Sequence, residues 1–148
     1  MRWFNLVIGF CILMAVATHG AEARIVKVLP HYLDLKGRHT LRPSLYERDA
    51  YQAELRKNLP ACSGLRFDVQ WKGRPLANLT LRVEARGTKD GATTLVTAEA
   101  PARAQWLAKW SSVTLKGDEF RKLGALVAWR VTLWKAGTQI GEQRSFLW

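Results

Sequence analysis

Two stretches of alternating side chains constrain the fold more than any other feature of this sequence. The stretch LRFDVQW, residues 65–71, alternates polar side chains with apolar ones, namely Leu65, Phe67, Val69 and Trp71. The stretch LTLRVEAR, residues 79–86, repeats the pattern with Leu79, Leu81, Val83 and Ala85. A period of two is typical of a β-strand with one buried and one solvated face. The chain therefore contains two half-buried strands, and the turn-forming segment KGRPLAN separates them.

Shorter strand patterns occupy most of the remaining chain. The opening RIVKVLPHYLDLKGRHTLRP is extended, because Pro30 and Gly37 argue against a helix. Two weaker strands are predicted at TTLVTAEA and SSVTLKG, a long one at ALVAWRVTLW, a turn at KAGTQ and a last strand at IGEQRSFLW. About six or seven short strands with turns between them are typical of an antiparallel sandwich. We predict a mainly β fold, a single antiparallel immunoglobulin-like β-sandwich.

The segment SLYERDAYQAELRKN predicts one short peripheral helix. Ser44 is placed to cap it, and Glu47 three residues later completes a capping box. Its apolar face is thin, so we expect the helix to lie on the outside of the strands. That face consists of Tyr51 and Leu55, with Tyr46, Ala50 and Ala53 around them. DEFRKLG predicts one or two further helical turns that begin at Asp118 and end at Gly124.

The first 23 residues predict a secretory signal. Arg2 supplies a positive start, residues 3–17 form an apolar stretch, and Ala21-Glu22-Ala23 provides the small-x-small cleavage pattern. An apolar stretch of this length is shorter than the roughly 20 residues that a membrane-spanning helix needs. We expect residues 24–148 to form the exported domain, in the periplasm or outside the cell, with no transmembrane segment.

Signal removal leaves Cys62 as the single cysteine, so no intrachain disulfide can form. We expect this thiol to be buried, and pairing between two chains is the alternative.

The strand patterns also predict one core between two sheets. Its members are Phe67, Val69, Trp71, Leu81, Val83, Trp129, Val131 and Leu133.

The charge of the domain favours anionic partners. The chain has 23 basic and 12 acidic residues, and the signal carries one of each, so that 22 and 11 remain and the net charge stays at +11. Such a field attracts anions. For an exported protein, phosphate-bearing envelope polymers, anionic lipid head groups and acidic polysaccharides come before nucleic acid, which we do not expect as a partner. The alternative is that the charge serves solubility alone.

Three segments together carry a resemblance. LDLKGRHTLRPSLYERDAYQ, the strand RFDVQW, and the ending AWRVTLW with GEQRSFLW are similar to a group of small exported bacterial proteins of unassigned function. The resemblance covers most of residues 24–148 and implies a bacterial exported domain. It implies no catalytic residues. The paired core cysteines of antibody domains are absent from the sequence.

No catalytic constellation emerges from the sequence. His31, His39 and Asp34 offer two nitrogens and an oxygen, but their spacing matches no known metal-ligand pattern. The segment ACSG around Cys62 carries no protease signature. We therefore expect a non-enzyme with no catalytic residues, no metal site and no cofactor. The enzyme alternative requires a pocket that holds both histidines close to a carboxylate.

Tryptophan is the more informative residue, since six remain among the 125 residues after the signal. Strand parity places Trp71 and Trp129 in the core. It places Trp134 on the polar face with Arg130, if the strand stays regular, and otherwise against a neighbouring loop. Trp148 stays undecided, because the last strand either contains a bulge near Gly141 or has no clean inner face. Trp106 and Trp110 are expected to pin their own segment to the domain.

These patterns lead to a binding hypothesis. The outward strand faces present Arg82, Arg86 and Arg130, with Trp134 beside them. Guanidinium groups suit carboxylates and phosphates, and an exposed indole can stack on a sugar. We predict an exported non-catalytic binding module for an anionic envelope polymer, a glycan or a protein partner. The alternative is a structural or assembly subunit of a cell-envelope complex. The sequence leaves the oligomeric state open.

Overall fold

A computed structural model describes residues 23–73, 77–103 and 110–148. The predicted signal, apart from Ala23, and Trp106 lie outside these ranges. The described residues form seven antiparallel strands in two sheets, with two helices. Neither helix has the length and apolar character that crossing a bilayer requires.

The strand order is that of an immunoglobulin-like sandwich. The three-stranded sheet has the order β1-β2-β5 and contains β1 (Ala23–Asp34), β2 (Cys62–Gly73) and β5 (Trp110–Lys116). The four-stranded sheet has the order β4-β3-β6-β7 and contains β3 (Leu79–Lys89), β4 (Ala92–Ala102), β6 (Ala125–Lys135) and β7 (Thr138–Arg144). The immunoglobulin constant fold likewise places its first, second and fifth strands in one sheet. Here the fourth strand pairs with the third instead of joining that sheet.

The core lies between the two sheets, as the alternating stretches predict. Seven of the eight predicted members are at most 1% exposed, namely Phe67, Val69, Trp71, Leu81, Val83, Val131 and Leu133. The eighth, Trp129, is only partly buried and packs against the edge of the core, so its prediction as a core residue needs correction. Trp129 pairs with the buried Ala85, so its side chain faces inward, but the pairing of β6 with β7 ends at Arg130 and places no β7 residue beside Trp129. Cys62 is buried and free, which confirms its predicted burial.

Two tight turns set the register of the four-stranded sheet. Asp90 and Gly91 join β3 to β4 with φ values of +51° and +78°. Ala136 and Gly137 join β6 to β7 with φ values of +46° and +80°. Positive φ at both central residues is the type I′ geometry that matches the twist of a hairpin. β7 then shifts register between Gln139 and Gly141, which confirms the predicted bulge.

Helix α1 (Leu45–Lys57) lies beside the free edge of β1. The predicted capping box is wrong, because the Ser44 side chain makes no cap hydrogen bond and Glu47 instead binds Arg42 at 3.0 Å. The helix buries Leu55 and the polar residue Gln52, while Tyr46 is 84% exposed. The helix therefore docks through a polar contact as well as an apolar one.

Gln52 performs that docking. Its side-chain amide accepts a hydrogen bond from the Tyr32 backbone N–H at 2.8 Å and donates to the Tyr32 carbonyl at 2.9 Å. It also donates to the His39 carbonyl at 2.8 Å. An edge strand exposes unpaired backbone groups that other chains can bind. Gln52 satisfies two of these groups on β1.

Helix α2 (Gly117–Leu123) confirms the second predicted helical segment and closes one end of the sandwich. Phe120 and Leu123 are its buried residues. The helix can lie this close to β3 because Gly87 has no side chain: a Cβ atom there would overlap the Leu123 carbonyl oxygen. Gly124 ends the helix with a φ of +70°.

Candidate functional site

The outer face of the four-stranded sheet contains all four residues predicted to bind a ligand. β6 stays regular through Trp134, which pairs with Thr80 of β3. Arg82, the next outward residue of β3, places its guanidinium carbon 4.5 Å from the centre of the Trp134 ring. This distance is typical of a cation–π contact. The structure therefore brings Trp134 together with Arg82, and Arg130 lies further along the same strand face.

A second arginine–tryptophan pair lies on the same face. The guanidinium carbon of Arg86 is 4.1 Å from the centre of the Trp148 ring. Arg82 and Arg86 are four residues apart on β3, a separation of about 13 Å at the rise of an extended strand. We call the surface formed by Arg82, Arg86, Arg130, Trp134 and Trp148 the arginine–tryptophan face.

Large side chains lie flat on this face. Ala128 and Thr132 point to the same side of β6 as Arg130 and Trp134. Ala128 and Thr132 are nevertheless only 1% exposed, because the larger side chains cover them. The Trp134 indole N–H donates a hydrogen bond to the Thr132 hydroxyl at 2.8 Å. The Trp134 ring is therefore fixed in orientation by a hydrogen bond and by the Arg82 guanidinium.

Carboxylates hold the arginines of the face. Arg82 binds Glu99 of β4 through Nε, with 2.6 Å between the nitrogen and the carboxylate oxygen. Arg130 lies 3.6 Å from Glu84 and 3.3 Å from Glu142. Its Nε atom is buried and makes no hydrogen bond in the described part of the chain. Arg130 is thus the least available of the predicted binding residues.

The net charge of the face is small. Four arginines lie on the face, since Arg144 pairs with Arg130 and joins Arg82 and Arg86. Cross-strand pairing also places three glutamates there, namely Glu84, Glu99 and Glu142. The excess is one positive charge. The high charge of the whole domain therefore does not concentrate on this face.

The two histidines lie together on the outer face of the three-stranded sheet. The His31 and His39 ring centres are 4.9 Å apart, and His31 Nδ1 lies 3.1 Å from the Asp68 carboxylate. His31 is only 7% exposed. The carboxylate that contacts His31 is therefore Asp68, whereas Asp34 binds residues of its own loop and Tyr51. The enzyme alternative requires a pocket that holds both histidines close to a carboxylate, and the structure brings His31, His39 and Asp68 together.

The contacts of this histidine cluster lower the pKa values of Asp68 and His39. Burial would raise the pKa of Asp68, but hydrogen bonds from His31, Ser112 and Arg66 outweigh it and hold the pKa well below its usual range. Burial, the Arg66 guanidinium and His31 lower the pKa of His39. Arg66 lies 3.2 Å from His39 Nδ1, and a guanidinium can only donate, so this nitrogen accepts.

The geometry of the histidine cluster differs from that of a catalytic triad. The Ser112 hydroxyl donates to Asp68 at 2.6 Å, and no histidine contacts it among the described hydrogen bonds. A nucleophilic serine instead gives its proton to a histidine, which a carboxylate orients. Within residues 23–73, 77–103 and 110–148, no set of three or more His, Cys, Asp or Glu side chains is arranged to hold a metal ion.

Asp34 has a structural environment. Its carboxylate accepts backbone N–H groups of Lys36 and Arg38, each at 2.9 Å, and the Tyr51 hydroxyl at 2.8 Å. Burial would raise the pKa of Asp34, but these hydrogen bonds and the Arg38 side chain lower it to about 2. Asp34 therefore fixes the loop that carries His39.

Sequence reasoning missed three residues that these sites use. The sequence leaves Trp148 undecided, and strand parity could not have placed it, because β7 ends at Arg144. Asp68 and Arg66 alternate with the core residues of β2, so their outward direction was visible but their neighbours were not. Nothing in the sequence indicated that a loop would bring His39 over them.

Comparisons with protein-family models, curated proteins and solved structures found no match to this chain.

Proposed function

We propose that this protein is an exported, non-catalytic binding module that captures an acidic glycan of the cell envelope on the arginine–tryptophan face. One observation carries the proposal. Two indole rings lie on the outer face of one sheet, and each is held by a guanidinium, at 4.5 Å for Trp134 and 4.1 Å for Trp148. A preorganised surface loses little conformational entropy when a ligand binds.

The chemistry of the face suits a sugar polymer that carries carboxylates. The apolar C–H face of a sugar ring packs against an indole, and a carboxylate accepts hydrogen bonds from a guanidinium. In the described contacts, Arg82 gives its Nε–H to Glu99. A guanidinium has five N–H groups, so donors remain for a ligand. The two pairs, about 13 Å apart along β3, suit an extended chain better than a single sugar.

The near-balance of charge predicts a moderate salt dependence. An interaction through many unpaired cations weakens steeply as salt screens it. With four arginines against three glutamates, capture should fall about threefold or less between low and physiological salt. A much steeper fall would indicate that other basic surfaces of the domain bind the polymer.

The test uses immobilised alginate, a uronate polymer, with a neutral glucan as the matched surface. Arg82→Gln removes a guanidinium that contacts both Trp134 and Glu99. Arg42→Gln is the control, because Arg42 also pairs with a surface glutamate but lies in the loop before α1. We expect Arg82→Gln to weaken alginate capture about tenfold, a change of about 1.4 kcal/mol, and Arg42→Gln to leave it unchanged. Equal effects of the two variants would contradict the proposal.

The second candidate is a structural or assembly subunit, and exposed apolar side chains near the C-terminus favour it. Phe146 is fully exposed and Leu147 is 65% exposed. Exposed apolar side chains that lie together mark protein interfaces. On this reading, Phe146→Ser with Leu147→Ser abolishes association with an envelope protein that persists in high salt, while alginate capture stays at the background level.

A further inference from the structure

A cleft opens at one end of the sandwich, away from the arginine–tryptophan face. Its volume is about 670 Å³. It lies between α2, the turn that joins β3 to β4, the start of β2 and the short 3-10 helix Leu59–Ala61. Ligand pockets for small molecules have volumes of about 300–1,000 Å³. The cleft is therefore large enough for a small organic molecule.

Apolar atoms form most of the surface of its wall. Leu59 and Pro60 line one side and Phe120 lines the other. Phe120 is 7% exposed and packs edge-on against Tyr32 with 6.3 Å between the ring centres, so the cleft extends to the core. Leu35 stands at the rim with 73% of its surface exposed. An apolar molecule placed here would cover surface that now contacts water.

One wall of the cleft is rigid. Gly124 follows α2 and lies so close to β3 that a Cβ atom would overlap the Thr88 carbonyl oxygen. Its φ of +70° is also one that other residues rarely adopt. The end of α2 is therefore fixed against β3, and this wall is formed before any ligand arrives. Gly117 at the other end of α2 leaves open space.

The charged residues of the cleft favour an anionic group. Arg121 pairs with Asp118, and Asp90 lies in the turn. The Lys89 side chain is exposed, and its ammonium makes no hydrogen bond or ion pair with the described residues. An unpaired ammonium beside an apolar wall suits a molecule that has an apolar body and one negative charge.

We propose that this cleft binds a small amphipathic carboxylate, such as a medium-chain fatty acid. Its chain packs between Leu59 and Phe120, and its carboxylate pairs with Lys89. The site is separate from the arginine–tryptophan face, so the two proposals stand or fall independently.

Decanoate below its micelle concentration is the probe, and backbone amide shifts in NMR spectra of the ¹⁵N-labelled protein are the readout. We expect saturable shifts at the amides of the cleft, including Leu59, Gly117 and Gly124. Decan-1-ol has nearly the same chain without the charge, and decyltrimethylammonium carries a positive charge instead. Binding should be strongest for decanoate, weaker for decan-1-ol and weakest for decyltrimethylammonium.

Two charge-reversal variants localise the head group. Lys89→Glu should weaken decanoate binding about fivefold and leave decan-1-ol binding unchanged, because it alters only an exposed charge. Lys72→Glu is the matched control, since Lys72 is an exposed lysine near the other end of β2. Shifts spread over the surface without saturation, or equal effects of the two variants, would overturn the proposal.

Discussion

Replacing Trp71 by alanine is expected to remove much of the stability of this domain. The side chain is 1% exposed, so truncation removes about 200 Å² of buried apolar area. At about 25 cal/mol per Å², this loss of burial lowers the free energy of unfolding by about 5 kcal/mol. Measured costs for such core truncations are about 3–5 kcal/mol. The bond from the Trp71 indole to the Ser111 hydroxyl is long, at 3.4 Å, and adds little. We expect a loss of about 4 kcal/mol.

Trp129→Ala is the comparison that tests the reasoning. The Trp129 ring is partly exposed at the edge of the core, so its removal opens a groove that water fills rather than an enclosed cavity. The cavity contribution is then absent, and the expected loss is about 2 kcal/mol. Urea unfolding at pH 7 measures both values, and thermal melting should show a fall of about 10–20 °C for Trp71→Ala. Equal losses for the two variants would refute the assignment of Trp71 to the centre of the core and Trp129 to its edge.

Two further predictions concern a carboxylate and a turn. Because the pKa of Asp34 is lowered to about 2 in the folded protein, its stabilisation is present above pH 4 and is lost as the pH falls from 4 towards 2. Asp34→Asn should lower the free energy of unfolding at pH 7 by about 2 kcal/mol and flatten its change over that range; an equally steep acid profile in urea unfolding would contradict this. Ala136 has a φ of +46°, which costs energy for a residue with a Cβ atom. Ala136→Asn should raise the melting temperature by about 2 °C, since asparagine tolerates this conformation in type I′ turns, and a lower melting temperature would count against the turn assignment.

The sequence predicted which way the strand residues face, because alternation is a local property of an extended chain. It placed the inward residues of β2 and β3 correctly, since both strands are regular over those stretches. It gave the inward direction of Trp129 but not its partial exposure, because the pairing of β6 with β7 ends at Arg130, one residue short of Trp129.

The alternation of side chains does not predict contacts between segments that are distant in the sequence. Arg82 and Arg130 were predicted to point outward, but their glutamate partners depend on the register of four strands. The burial of Gln52 depends on an unpaired edge of β1, which the helix sequence does not reveal. Local pattern determines the face of a residue, whereas its neighbours follow from the topology.

The most direct test of the proposed function is alginate capture by Trp134→Ala, measured beside its free energy of unfolding. Tyr46→Ala is the control, because Tyr46 is an exposed aromatic residue on α1, outside the arginine–tryptophan face. The Trp134 ring is partly exposed and covers Thr132, so we expect its loss to cost about 1 kcal/mol of stability and to weaken capture about tenfold, with Tyr46→Ala unchanged in both. Unaltered capture by a destabilised Trp134→Ala would show that the tryptophan supports the fold alone, and the account of this face as a binding surface would be wrong.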